Sequence, residues 1–347
     1  MTITSKATMT ASFFKKYSEL LLCPHCLKDI GLHGDEIACC NCHSTFPMEE
    51  NGIVQLFAPN AWDEKSSDVT KVIKEFYETT PFPNYDDMDD VGTLVHKASN
   101  SYFPKLLFDQ IPFGAKVLEC GCGTGQLTNY LSIGNREVIG TDLCMNSLKL
   151  AQDFREQNSP TLDNAGFLQM NLFQPCFKPG SFDVVISNGC LHHTSDPKLG
   201  FETISRLVRP GGYLIIGLYH KYARLLTDLR RGTFNITRDR LLFLDKLNIK
   251  KSSSQARKNA WFRDQYKNPH ESKHTIKEVM SWVDDAGLKF VKSFPKTGIA
   301  EPIRSDEAVF EDEAPAGTFE TAIKEFSTTF FNSKEGGFFT IIARRPS

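Results

Sequence analysis

Residues 117–131 read VLECGCGTGQLTNYL. Val117 and Leu118 begin an apolar run that ends at Glu119, glycines follow at Gly121, Gly123 and Gly125, and Leu127, Tyr130 and Leu131 then recur at helical spacing. The pattern predicts a strand, a glycine turn and a helix. Glycines at alternate positions let backbone lie close to a ligand, and the helix behind them points its unpaired N–H groups the same way. A turn that merely joins strand to helix has the same local look. What separates the two readings is Asp142, seventeen residues after Gly125, at the end of a second apolar run Val138-Ile139-Gly140. A carboxylate at the C-terminal end of the second strand can accept both hydroxyls of a ribose.

From Pro104 onward apolar strands and amphipathic helices alternate, which predicts a doubly wound α/β fold with a mostly parallel sheet. Strands are expected at 116–119, 137–141, 165–170, 181–188 and 213–218, with helices at 145–157 and 197–208 between them. A further helix over 275–286, strands 288–294 and 338–343, and a helix over 319–330 complete seven strands. In such a sheet the ligand sits beyond the carboxyl ends of the strands where the winding reverses. Gly121, Asp142, Asn171, Asn188 and His192 should therefore converge.

Ahead of this domain stand Cys23-Pro24-His25-Cys26 and Cys39-Cys40-Asn41-Cys42. Two C-x-x-C pairs a hairpin apart are the spacing of a zinc ribbon, because each pair wraps one side of a tetrahedral ion. Cys23, Cys26, Cys39 and Cys42 are the expected ligands, with Cys40 spare and His25 and His43 as competing donors. Four protein ligands leave no open position, so the ion is expected to be structural. The few apolar residues around the pairs call for metal to organise them.

The chain of 347 residues is long enough for one large domain and a small one. Its formal charge of −2 excludes a basic nucleic-acid coat over the whole length. Ten cysteines without an evident export signal suggest metal ligands and reduced thiols, hence a cytoplasmic protein. No run approaches a membrane span. The expected organisation is a lead-in over 1–20, the ribbon over 21–57, a linker or lid helix over 58–104, and the main domain over 105–347 with cap insertions near 219–268 and 296–335. In the linker, nine Asp or Glu face three Lys over 61–90, a helix is expected from Val69 to Glu78, and prolines hold Phe82 and Tyr85 in an extended strip. Between His220 and Lys258 stand eleven Lys or Arg against three Asp, with Tyr222, Leu225, Leu226 and Leu229 at helical spacing. Such a segment suits a solvated helix over the site's mouth, a cap gripping an anion, an RNA-facing patch or a surface on anionic lipid.

Residues 104–220 resemble a class I S-adenosylmethionine-dependent methyltransferase. The carrying stretches are ECGCGTG at 119–125, TDL at 141–143, MNLFQPCF at 170–177, SFDVVISNGCLHHTSDP at 181–197 and RLVRPGGYLII at 206–216. The pattern is similar to the family that includes ubiquinone and menaquinone methyltransferases. The resemblance implies that Glu119, Gly121 and Gly123 hold the methionine part of S-adenosylmethionine, Asp142 the ribose, Leu143 the adenine and Asn171 its exocyclic amine, with Gly125, Leu172 and Asn188 beside them. Many members carry Asp where Asn171 stands; the amide oxygen still accepts a hydrogen bond. A dinucleotide-binding dehydrogenase would want a third glycine where this chain has Gln126.

A sulfonium methyl donor carries its own leaving group, so alignment and water exclusion matter most, and oxygen and most nitrogen nucleophiles also need a base. His192, His193, Tyr219 and His220 are the candidates, each equally a packing residue at a strand end. Ser187-Asn188-Gly189-Cys190 lacks the Asn/Asp-Pro-Pro-aromatic run of enzymes that methylate exocyclic amines of nucleobases. His270-Glu271-Ser272-Lys273-His274 matches H-E-x-x-H, but Pro269 precedes it and a capping box begins at Thr275, so the two histidines should not share a helix face. Asp264-Gln265-Tyr266 and His270-Glu271 are expected in a polar loop on the substrate side. The function expected is methyl transfer to a small, anionic or amphiphilic metabolite. The alternative is an RNA or protein methyltransferase that recognises its target with the ribbon, as some ribosomal RNA guanine methyltransferases with a four-cysteine zinc site do.

Overall fold

The computed structural model describes residues 14, 16–33, 36–49, 51–60, 68–83, 85, 90–237, 255–298, 306–327 and 337–347. The expectations for 1–13, for the linker over 61–67, for the middle of the basic stretch at 238–254 and for 299–305 and 328–336 of the second insertion lie outside these residues. Three short strands, β1 (Ile30–His33), β2 (Glu36–Cys39) and β3 (Thr45–Phe46), form an antiparallel sheet of their own. The remaining strands are β4 (Val54–Leu56), β5 (Lys116–Cys120), β6 (Glu137–Asp142), β7 (Ala165–Met170), β8 (Phe182–Asn188), β9 (Val208–Tyr219), β10 (Lys289–Phe294) and β11 (Phe338–Arg344). They build one sheet in the order β10-β11-β9-β8-β5-β6-β7-β4.

The run from β9 to β4 is parallel throughout, whereas β11 pairs antiparallel with both β9 and β10. The seven expected strands are present. An eighth, β4, comes from the end of the ribbon segment and adds beside β7. Three residues carry too little periodicity for a strand to be read from sequence. Register supplies what periodicity lacks, since Val54 pairs with Leu168 and Leu56 with Met170.

Both sheet faces are covered, so the parallel strands are buried on alternate sides. Val117, Val138, Ile186, Ile215 and Ile342 face a core shared with Leu94, Phe103 and Leu107 of two helices, Val91–Ser99 and Tyr102–Gln110. Leu118, Ile139, Val185, Leu214 and Ile216 face the other core, which holds Val279, Trp282 and Val283 of the helix Ile276–Asp285. This second core runs on without a break into Ile30, Ile37 and Phe46 of the ribbon. The ribbon thus borrows apolar burial from the large sheet and does not depend on metal alone. Backbone bonds from Leu22 N–H to Cys176 O (2.8 Å) and from Lys178 N–H to Leu20 O (2.9 Å) fasten the two parts.

The winding runs from β5 outward to β6 and β7, then returns to the opposite side of β5 with β8. The loops leaving β5 and β8 therefore meet at their carboxyl ends. They approach so closely that a Cβ on Gly121 would lie 2.3 Å from Cys190 Sγ. The basic stretch does begin as a helix, Leu225–Ile236, and the helix Gln255–Lys267 stands where a loop was expected. The helix after the H-E-x-x-H pattern starts at Ile276, capped by Thr275 and Glu278, and the residues before it run alongside the end of β9. The two histidines are therefore not on a helix face.

Candidate functional site

A cavity of about 840 Å³ opens over the carboxyl ends of β5, β6, β7 and β8. Its floor includes Glu119, Gly121 and Gly123 of the glycine turn, Asp142 and Leu143 after β6, Asn171 and Leu172 after β7, and Asn188 after β8. Of the nine residues expected around a cofactor, only Gly125 is off the lining. Its left-handed φ of +69° starts the helix Gln126–Ser132, and a Cβ there would meet the Phe167 ring at 2.5 Å and Ala151 Cβ at 2.7 Å. Gly125 is thus a packing glycine that lets the turn close on the strand behind it.

Two buried carboxylates face this space. Glu119 accepts a hydrogen bond from Thr128 Oγ1 (2.5 Å) and is 5% exposed. Burial pushes its carboxyl up to about 7, against the opposing pull of that bond. Asp142 accepts from Gly123 N–H and Cys144 N–H, each at 2.8 Å, which fixes the turn after β5 to the end of β6. Burial holds its carboxyl above the usual carboxylate range in spite of those bonds. Among the described residues neither carboxylate has a cationic side chain within ion-pairing distance. An uncompensated pair of buried carboxylates is a receptor for a ligand that brings positive charge and hydroxyl or amine donors.

The roof comes from the segment before the main domain. The helix Thr70–Thr79 crosses the cavity with Thr70, Ile73 and Tyr77 on its lining, and Phe82 and Pro83 lie over the glycine turn. Thr124 Oγ1 donates to Pro83 O, and a Cβ on Gly123 would sit 2.9 Å from Phe82 O. Tyr85 stacks on Phe154 at 4.3 Å and accepts from Asn129, so it packs against the main domain. Glu78 accepts from the N–H groups of Met145 and Asn146, both at 2.9 Å, and so caps the helix Met145–Gln157 from outside. At the other end of the same roof helix, Asn171 donates to Ala58 O and Asn60 Oδ1, and Asn60 donates to Asp68 and Thr70. These side chains were not read as a unit from sequence, because the bonds of Glu78 and Asn171 that tie the roof down join residues 67 to 113 positions apart.

The far wall belongs to β8, β9 and the helix Gln255–Lys267. Tyr219 lines the cavity, and its hydroxyl accepts from Gln265 Nε2 at 2.8 Å. His193 also lines it, with Nδ1 beside His270 O at 2.9 Å. His192 does not. It lies behind Tyr219, ring centroids 4.0 Å apart, and is 1% exposed. Burial, with His193 and Arg224 nearby, holds its ring well below the ordinary histidine value, so it is neutral. His220 is also off the lining: Nε2 lies 3.2 Å from Glu325 of the helix Thr318–Ser327, tying the strand end to that helix. Of the four residues named for catalysis, the fold brings Tyr219 and His193 to the cavity and leaves His192 and His220 off its lining. The alternation of β9 directs Tyr219 and His220 to opposite sides.

Asp264 and Gln265 line the wall as expected, but from a helix. Tyr266 packs on Phe234 at 5.0 Å, and Glu271 binds Arg224 Nη2 at 2.9 Å instead of facing the cavity. Two described basic residues of the 220–258 stretch turn inward, Arg224 and Arg231 both reaching Glu271, while Lys221 is exposed.

Apart from the cavity, the sulfurs of Cys23, Cys26, Cys39 and Cys42 lie within 4.8 Å of one another, with Cys23–Cys42 at 3.6 Å and Cys26–Cys39 at 3.4 Å. A tetrahedral ion bound to sulfur at ~2.3 Å sets sulfur–sulfur separations of ~3.8 Å, so the four are placed as one ion requires. The N–H groups of Asn41 and Cys42 point at Cys39 Sγ, as a thiolate requires. Hydrogen bonding with Ser44 lowers the Cys42 thiol to about 6. His25 stacks on Phe46 at 5.8 Å and is outside the cluster, as are His43 and Cys40.

Residues 118–216 match the family model described as a methyltransferase domain. A ubiquinone biosynthesis O-methyltransferase of Chromobacterium violaceum is 31% identical over 136 residues, 36% of this chain and 58% of that protein. An uncharacterized protein of Synechococcus sp. is 29% identical over 199 residues, 51% of this chain and 48% of that protein. The chain thus spans about half the length of the curated relatives it matches. Among solved structures, a chain of the complex between the Haloferax volcanii Trm112 methyltransferase activator and a methyltransferase aligns over 79% of this chain and 99% of its own, at 15% identity and a TM-score of 0.45. Residues 118–216 are accordingly a class I S-adenosylmethionine-dependent methyltransferase domain.

Proposed function

We propose that this chain is an S-adenosylmethionine-dependent methyltransferase whose substrate is a small metabolite enclosed in the cavity with the cofactor, and that the four cysteines hold a structural zinc ion. The observation that carries this is the pair of buried carboxylates, Glu119 and Asp142, on the floor of a cavity at the point where the winding reverses. They fit the cofactor's charge and donors: Glu119 takes the ammonium of the methionine part and Asp142 the ribose hydroxyls. Leu143 packs on the adenine, and Asn171 keeps an oxygen lone pair for its amine beside the bond from Phe173 N–H. The cofactor supplies a methyl group on a sulfonium leaving group. The chain's part is to hold donor and acceptor in line and to keep water out, for which the roof of Ile73, Tyr77, Phe82 and Pro83 is suited.

That roof favours a small acceptor over RNA or protein. A nucleotide or side chain presented by a macromolecule has to pass it, whereas a free metabolite is accommodated in a volume ordinary for small-molecule sites. The test is titration calorimetry with the demethylated cofactor. Binding by the full chain is expected, and Asp142→Ala is expected to weaken it about 30- to 100-fold, the worth of charge-assisted bonds to two hydroxyls. The same heat from both proteins, or none from either, rejects the reading. Salt-dependent retention of bulk RNA at micromolar protein would move the macromolecular alternative ahead.

A further inference from the structure

We propose that the wall bearing Tyr77, Asp264 and Tyr219 is the acceptor's subsite and that it takes a cationic amine, with Asp264 as the counter-ion. The inference rests on the reading of the cavity as a methyl-transfer site and names its substrate class.

Asp264 lies near the end of the helix Gln255–Lys267, is 5% exposed and lines the cavity. One carboxylate oxygen accepts from Tyr77 Oη–H at 2.7 Å and the other from Gln265 Nε2 at 2.9 Å. An ionised carboxylate oxygen can accept two hydrogen bonds, so each retains capacity. Both neighbours are held from behind: Tyr77 Oη accepts from Asn268 Nδ2 (2.9 Å), and Gln265 also donates to Tyr219 Oη (2.8 Å). The carboxylate is therefore positioned, and its two existing bonds are both to neutral groups.

What it lacks is a positive partner. The cation that could have served is Arg224, but its Nη1 goes to Gln265 Oε1 at 2.6 Å, its Nη2 to Glu271 at 2.9 Å, and its guanidinium lies 3.8 Å from the Tyr219 ring centroid, so the Gln265 amide stands between it and Asp264. Among the described residues Asp264 enters no ion pair. His193, on the same lining, is kept neutral by burial. Asn188 adds a second acceptor, its buried Oδ1 having no partner among the described residues.

Charge balance then selects the ligand. The cofactor's ammonium and ribose answer Glu119 and Asp142, which leaves Asp264 as a third carboxylate on the lining with no counterpart in the cofactor. A desolvated carboxylate is costly, and a cation seated against it recovers more of that cost than a neutral donor does. An anionic acceptor would add repulsion at this wall.

The experiment uses the full chain saturated with demethylated cofactor and three probes of similar shape at pH 7.5: 2-phenylethylamine, 2-phenylethanol and 3-phenylpropanoate. Affinities are read by competition-free calorimetry or ligand-observed NMR. The amine is expected to bind about tenfold or more tightly than the alcohol, and the carboxylate least. Asp264→Asn is expected to erase the difference between amine and alcohol, and its unchanged affinity for the demethylated cofactor reports that it is folded. The wild-type series decides even if that variant fails to fold. Equal binding of amine and alcohol, preference for the carboxylate, no binding of any probe, or a preference that survives in a folded Asp264→Asn protein overturns the inference. Failure of the wild-type chain to bind the demethylated cofactor overturns the methyltransferase reading and this inference together, so the two failures are told apart.

Discussion

The cysteine cluster and the cavity are built in opposite ways. All four sulfurs come from one stretch between Cys23 and Cys42, whereas the cavity draws on side chains from Thr70 to Phe338. A site made within one hairpin brings its four ligands together locally, even though the apolar residues around it share the core of the large sheet. A site made by the ends of parallel strands needs the whole sheet in register before any of its groups face one another. The first can be lost by removing one small species; the second fails wherever the layers shift. Asn171 and Glu78 show how the second is held, each joining the roof segment to a strand or helix end far along the chain.

Removing the ion should give the largest and most local effect. Chelation, or Cys23→Ser, is expected to take away a stabilisation on the order of 10 kcal/mol from the ribbon. Hydrogen exchange should show residues 21–46 losing protection while β5 to β8 keep theirs. Uniform loss across the big sheet would mean that the core shared by Phe46, Leu118 and Leu168 makes the two parts one cooperative unit.

Gly125→Ala tests the cavity's side of the comparison. A Cβ at this left-handed position meets Phe167 and Ala151, so a loss of about 3–4 kcal/mol is expected, read as a lower denaturant midpoint with an unchanged slope. A midpoint within error of wild type would mean that the strand and helix behind the turn can move apart.

Glu119 gives a smaller effect with a definite sign. Its carboxyl is near 7 in the folded chain, above the ordinary 4.5. Between those values the folded state holds a proton that the unfolded state has released, so this group's contribution to stability falls as pH rises and is least favourable above 7. Glu119→Gln should therefore stabilise the protein free of cofactor above pH 7, by something on the order of 2–3 kcal/mol, and change little at pH 4.5. Affinity for the demethylated cofactor should run the other way, strengthening in the wild type as pH rises through 7 and losing that dependence in the variant. Thermal melts and calorimetry across pH 5–8 decide both.

The smallest effect is expected at the roof. Glu78→Ala removes a cap from the helix Met145–Gln157 and should cost about 1 kcal/mol. Faster exchange confined to residues 70–79 and 145–148 would show the roof loosening independently of the floor. Unchanged exchange there would leave the bonds of Asn60 and Asn171 as the real fastening.

The sequence by itself determined the parts whose logic is local. Strand, glycine turn and helix at 116–132, the acidic end of β6, the four metal-spaced cysteines and the capping box that separates His270 from His274 all depend on residues a few positions apart, and periodicity and spacing report such relations directly. Only the tertiary structure decided which of those residues face the cavity. Gly125 turned to packing, and His192 and His220 were buried behind or beside Tyr219. Only it showed the eighth strand, the roof, and a carboxylate at Asp264 without a counter-ion among the described residues. These depend on strand register and on polar partners far apart in the chain, and no run of neighbouring residues encodes a distance of that kind.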